Sequence, residues 1–183
     1  MQKATQMTAT KRLVLTAVNI ALCLVLPMAF HSIPNGGKIM LPMHIPVLLC
    51  GMVCGAPYGA ACGLLGPMLS SVLTGMPTAA LMPAMMVECA AYGLTTGLML
   101  RLVRTGKTYA DLYLSLAAAM LVGRLVSGVT KALFFMAGQY TMQAWIAASF
   151  VTALPGIVLQ LAVVPSIVYY LMRAGLIPQR YPR

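Results

Sequence analysis

Arg124, Lys131 and Glu88 stand inside long apolar runs of the sequence. An ionised side chain at bilayer depth costs ~2.5–3.5 kcal/mol on insertion scales, so residues retained there mark ligand or ion sites by default. Arg124 and Lys131 are seven residues apart, two helical turns along one face. At 1.5 Å per helical residue, and with the topology derived below, Glu88 lies ~12 Å below the outer surface, Arg124 ~20 Å and Lys131 ~9 Å. Glu88 therefore falls between the two cations in depth. It can staple two helices together through Arg124 or through Lys131. Either pairing leaves one cation over. A surplus cation facing an outer cavity suits a solute with a carboxylate or other acceptor groups. Lys131 can instead snorkel to the outer interface.

Other polar groups share this outer level: Asn35, Lys38, His44, Ser71, Thr74, Tyr140 and Gln160 complete the candidate substrate-binding set, with Ser70, Gln139, Gln143 and Trp145 nearby. Tyr140 and Trp145 read either as interfacial anchors or as a lid over a ring-bearing or amphipathic solute. His31 and His44 flank the first outer loop, but a metal site needs more ligands in fixed geometry, and neither a metal nor a cofactor is expected. No Gly-x-x-x-x-Gly-Lys-Ser/Thr phosphate loop, His-Glu-x-x-His or Gly-x-Ser-x-Gly elbow occurs. Two acids and two histidines without a matched pair leave hydrolysis without an acid–base couple. The chain is not expected to be an enzyme, and any ATP hydrolysis falls to partner subunits.

The elements that position these residues follow from composition. Of 183 residues, 61% are hydrophobic and 8% charged, against about 25% charged in soluble domains. In water such a chain would expose aggregation-prone apolar surface; the lipid bilayer is its solvent. A spanning helix takes ~20 apolar residues, so the length holds about six. The segments run over about 13–30, 43–55, 58–73, 79–100, 112–137 and 144–172, with residues 1–10 a polar N-terminus and 173–183 a tail. The second is short and begins among Pro42 and Pro46; Pro155 and Pro165 are expected kinks in the sixth. The first segment, preceded by Lys11 and Arg12, reads as a retained helix and not as a cleaved leader. The expectation is an all-α membrane protein, a single transmembrane domain built as a six-helix bundle.

The net charge of +10 would suggest nucleic acid in a soluble protein. Here the basic residues sit at the ends of apolar segments and signal topology. Lys3, Lys11, Arg12, Arg101, Arg104, Lys107, Arg173, Arg180 and Arg183 fall on one side of a six-crossing bundle, and Lys38 alone in the loops of the other. That asymmetry makes both termini cytoplasmic and excludes a nucleic-acid partner. Cys23, Cys50, Cys54, Cys62 and Cys89 all lie in apolar stretches with no Cys-x-x-Cys pair, and read as small buried hydrophobes. Ala17 and Ala21 are four apart, as are Gly55, Gly59 and Gly63. Such stripes let backbones approach closely, either within the bundle or against another membrane subunit.

A basic N-terminus leading into Ala17 and Ala21, a Pro-containing outer loop before a short second helix, and the run Pro42-Met-His-Ile-Pro-Val-Leu-Leu-Cys-Gly-Met-Val-Cys-Gly-Ala-Pro-Tyr-Gly59 form one pattern. With Leu69-Ser-Ser-Val-Leu-Thr-Gly-Met-Pro77 after it, the sequence resembles the S component, the substrate-binding membrane subunit, of an energy-coupling factor (ECF) vitamin transporter. The resemblance covers nearly the whole chain. It implies a multi-pass bundle in the bacterial cytoplasmic membrane that binds a vitamin-like solute near the outer face. It implies docking through Ala17 and Ala21 onto a transmembrane coupling subunit driven by two ATPases. Among the vitamins, the surplus of cations favours a carboxylate-bearing one, with pantothenate in the lead and a queuosine precursor and other vitamins also open. Nickel and cobalt relatives place a histidine after the initiator methionine, where this chain has Gln2. The competing expectation is a stand-alone oligomeric carrier or channel for a small solute.

Overall fold

The computed structural model describes residues 7–30, 36–135 and 141–181, with the side chains of all but Lys38 and Phe135. Eight α-helices carry these residues: α1 (Ala9–Ala29), α2 (Gly36–Met40), α3 (His44–Cys54), α4 (Ala56–Thr74), α5 (Met82–Leu102), α6 (Thr108–Thr130), α7 (Met142–Ile146) and α8 (Leu154–Arg173). π-Helical turns follow α6 (Lys131–Phe135) and α7 (Ala147–Thr152). No strand occurs among the described residues.

Four helices are long and apolar enough to cross a bilayer: α1, α4, α6 with its π turn to Phe134, and α8. The six crossings expected from the sequence are not reached by that measure. α5 has 21 residues but carries Glu88, Tyr92, two threonines and Arg101. α3 has 11 residues, about 16 Å of helix against a hydrocarbon core of about 30 Å. The sixth expected segment differs as well. It is divided at Ala153, because Pro155 stands in the first turn of α8, where its missing N–H is no loss. Pro165 lies inside α8 without ending it.

Local chemistry sets the helix ends. The Thr8 side chain caps α1 by accepting from the Lys11 amide at 3.3 Å. Gly55 joins α3 directly to α4 at φ 99°, and Gly75 closes α4 at φ 72°, its amide donating to the Ser71 carbonyl at 2.9 Å. Both dihedrals are ones that a Cβ would strain.

The core is built on close backbone approach between α4 and α5. A Cβ on Gly93 would stand 2.1 Å from the Gly59 carbonyl oxygen, one on Gly63 2.3 Å from that of Cys89, and one on Gly97 2.2 Å from the Ala56 nitrogen. Of the two readings of the glycine stripe, Gly59 and Gly63 serve packing inside the bundle. Ala17 and Ala21 lie on the other kind of surface: both are exposed on α1, beside exposed Leu13, Val14, Val18 and Val25. The opposite face of α1 buries Thr16, Asn19 and Cys23. Thr16 and Asn19 bond back to the Arg12 and Leu15 carbonyls, each at 2.8 Å, which satisfies them within their own helix. All five cysteines are buried and free.

The start of α1, the α5–α6 connection and the tail meet at one end of the bundle. Lys11 Nζ donates to the Leu176 carbonyl. Asp111, fully buried, accepts from the Thr105 amide at 2.8 Å, the Thr105 hydroxyl at 2.6 Å and the Tyr181 hydroxyl at 2.7 Å. It also forms an ion pair with Arg180, whose other nitrogen donates to the Val103 carbonyl.

Candidate functional site

Glu88 and Tyr92 are four apart on α5; Arg124, Ser127 and Lys131 follow one face of α6 and its π turn; His44 opens α3. These three elements bring their polar groups together at the level of Glu88. Ser127 Oγ donates to Glu88 Oε2 at 2.6 Å, and Lys131 Nζ donates to the same oxygen at 3.2 Å. His44 Nε2 lies 3.6 Å from Oε1, beyond a hydrogen bond and an ion pair only if the ring is protonated. Between the two pairings left open by the sequence, Glu88 takes Lys131. Lys131 keeps 29% of its side chain exposed, against 11% for that of Glu88, so its carbon stem reaches the surface while its charge is held inside.

Arg124 is treated differently. The residue is 5% exposed, and its Nε and Nη2 are buried without a hydrogen-bond partner among the described residues. Its guanidinium carbon lies 5.9 Å from the centre of the Phe150 ring, a cation–π distance. Trp145 donates its indole N–H to the Arg124 carbonyl at 3.2 Å and meets Phe150 edge-on at 5.7 Å. Glycines make room for these rings: a Cβ on Gly128 would be 2.4 Å from the indole nitrogen, and one on Gly123 2.8 Å from the Tyr92 ring. Tyr92 in turn packs edge-on to His44, with ring centres 5.0 Å apart. Arg124, Lys131 and Glu88, two cations and one carboxylate, leave the cluster one positive charge in excess. A hollow of about 230 Å³ opens beside α6 between Leu125, Gly128, Val129, Ala132, Thr141, Met142 and Trp145. It is apolar, and Arg124, Lys131 and Glu88 do not line it.

The remaining expected site residues are placed elsewhere. Gln160 is buried on α8, its Nε2 3.5 Å from the carbonyl of Leu41, a residue at φ 50°. Ser71 donates to the Pro77 carbonyl at 2.7 Å and Thr74 to that of Ser70 at 2.7 Å, so both hydroxyls serve the turn after α4. Lys38 lies on α2. Asn35 and Tyr140 lie outside the described residues, as does His31. Ser127, Tyr92 and Phe150 join the cluster without having been expected there. Ser127 was within reach of sequence reasoning, since it shares the face of Arg124 and Lys131.

The family model described as "ECF transporter, substrate-specific component" matches residues 11–168. The chain belongs to that family. No curated protein and no solved structure matches it. It is thus a substrate-specific transporter subunit embedded in a membrane. A guanidinium presents a planar fork matched to a carboxylate.

Proposed function

We propose that this chain captures a carboxylate-bearing, vitamin-like micronutrient, with pantothenate as the lead solute, and delivers it into the cell as the S component of an ECF-type importer. The observation that carries the reading is Arg124: a cation 5% exposed, two of its donors unpartnered among the described residues, in a family of substrate-specific transporter subunits. Six crossings with cytoplasmic termini follow from the basic residues at the end shared by α1, the α5–α6 connection and the tail. α3 then crosses as a short helix embedded among the others. The location is the bacterial cytoplasmic membrane. Energy comes from two ATPase subunits through a transmembrane coupling subunit. The exposed Ala17 and Ala21 face of α1 is where that subunit docks, small residues allowing close helix approach.

Mass spectrometry of small molecules copurifying with the detergent-solubilised chain, followed by calorimetric titration of the purified protein with pantothenate, tests the proposal. The expected result is a bound acid and micromolar or tighter binding without nucleotide. ATP-independent accumulation of pantothenate in liposomes holding this chain alone would replace the proposal with a stand-alone carrier.

A further inference from the structure

Two unpartnered atoms of one guanidinium are more informative than a count of charges. Nε and Nη2 of Arg124 are the donors along a single edge of the group, the edge that meets both oxygens of a carboxylate side-on. Both atoms are buried and neither has a partner among the described residues. Of Arg12, elsewhere in the bundle, only Nε is both buried and unpartnered, so it offers one desolvated donor and no desolvated fork. The other cation of the cluster is already occupied. Lys131 and Ser127 converge on one oxygen of Glu88 at 3.2 and 2.6 Å, which is how they would hold a solute carboxylate.

We infer that Glu88 is a resident counterion that neutralises Lys131, leaving the Nε–Nη2 edge of Arg124 as a seat for one carboxylate, so that the site selects monoanionic over dianionic solutes. The inference rests on the solute-capture reading above and makes it narrower. Ser127, which holds Glu88 at 2.6 Å, is one helical turn from Arg124 on the same face of α6, so the Glu88 charge stands about a turn from the seat. A dianion entering beside Arg124 would bring its second charge against Glu88, and like-charge juxtaposition is how binding sites refuse the wrong partner. The Phe150 ring lies 5.9 Å from the guanidinium carbon, and Trp145 holds the Arg124 backbone carbonyl. Nε and Nη2 are buried, and a charge-assisted bond is strongest away from water. The group recognised is a planar carboxylate; the rest of the solute is free to vary.

Trp145 is the only tryptophan of the chain and touches the backbone of Arg124, so its fluorescence reads the seat directly. The full chain in nanodiscs is titrated with pantothenate and its neutral alcohol pantothenol, with butyrate and butyramide, and with the dianion glutarate. Saturable changes are expected from pantothenate and butyrate and not from their neutral counterparts, with butyrate favoured over glutarate. Arg124→Lys keeps the charge and loses the fork, and is expected to weaken pantothenate at least about tenfold. Glu88→Gln frees Lys131 and is expected to move the preference toward glutarate by about tenfold. If Glu88→Gln does not fold, the butyrate-to-glutarate ratio of the unaltered chain decides alone. Pantothenol binding as tightly as pantothenate, an unweakened Arg124→Lys, glutarate equal to butyrate, or no response to either monoacid overturns the inference. A neutral solute found copurifying would overturn the carboxylate seat and leave solute capture standing. A chain that neither retains nor binds any solute would remove both.

Discussion

Asp111 and Glu88 are the only two acids of the sequence, and each sits in a polar cluster with a basic partner. Around Asp111 both oxygens are used: Thr105 serves one, and Tyr181 and Arg180 the other. Arg180 spends a second nitrogen on Val103, and the Tyr181 oxygen accepts from the Gly106 amide at 3.1 Å. Around Glu88 the carboxylate is served by Ser127 and Lys131, but Arg124 and His44 beside it each hold two buried nitrogens with no partner among the described residues. A buried polar group without a partner forfeits its desolvation free energy, so the Glu88 cluster contributes less to folding than one whose groups are all matched. The Asp111 cluster is a matched clasp; under the solute-capture proposal the Glu88 cluster is the one left open for a ligand. Reading the partners of every buried charge separates the two roles where burial alone does not, since Asp111, Glu88 and Arg124 are all buried.

The largest effect that would sharpen this contrast is expected from Asp111→Asn. It removes the charge that Arg180 answers and should lower stability by about 2–3 kcal/mol, read as a drop in the melting temperature of the detergent-solubilised protein. Solute binding per folded molecule should stay as it was. Arg124→Met makes the opposite test. Replacing an unpartnered buried cation with an apolar side chain of similar length should leave stability unchanged or raise it by about 1–2 kcal/mol, while solute binding is lost. A destabilisation as large as that of Asp111→Asn would break the comparison and make Arg124 a structural residue. The smallest effects are expected from Tyr181→Phe and Ser127→Ala. Each deletes one hydrogen bond to a carboxylate and should cost about 1 kcal/mol in thermal melts, but Ser127→Ala alone should also alter solute affinity, because it loosens Glu88.

Much of the architecture was legible because its signals are local. Apolar length and the placement of basic residues mark membrane helices within windows of a few turns. The spacing of Arg124 and Lys131 put both on one face of α6, where the structure has them. Ser127 lies on that face too, but a serine in an apolar helix commonly bonds back to its own helix, as Ser166 does to the Ala162 carbonyl at 2.6 Å. Only the approach of α5 decides that Ser127 reaches across to Glu88. The prolines tell a similar story. Pro27, Pro67 and Pro165 lie inside helices, whereas Pro155 starts one, and neighbouring helices determine which outcome each takes. Ser71 and Thr74 share the outer level of the candidate site in the sequence, yet the turn after α4 consumes their hydroxyls.

The sequence alone determined the solvent of this protein and the scarcity of its charges: a chain with 61% hydrophobic residues and two acids has to bury apolar helices in lipid and leave some cation without an internal partner. It did not determine which one. Along the helix axis Lys131 stands nearer Glu88 in depth than Arg124 does, but long side chains on either side of Glu88 can span such offsets, so depth alone did not settle the pairing. The tertiary structure chose Lys131, because α6 brings Ser127 and Lys131 onto the same carboxylate oxygen. The aromatic side chains after α6 cover Arg124 instead. Hydrogen bonds act over about 3 Å, and α6 comes that close to α5 with the help of Gly123, whose missing Cβ leaves room for the ring of Tyr92, a residue far away in the chain.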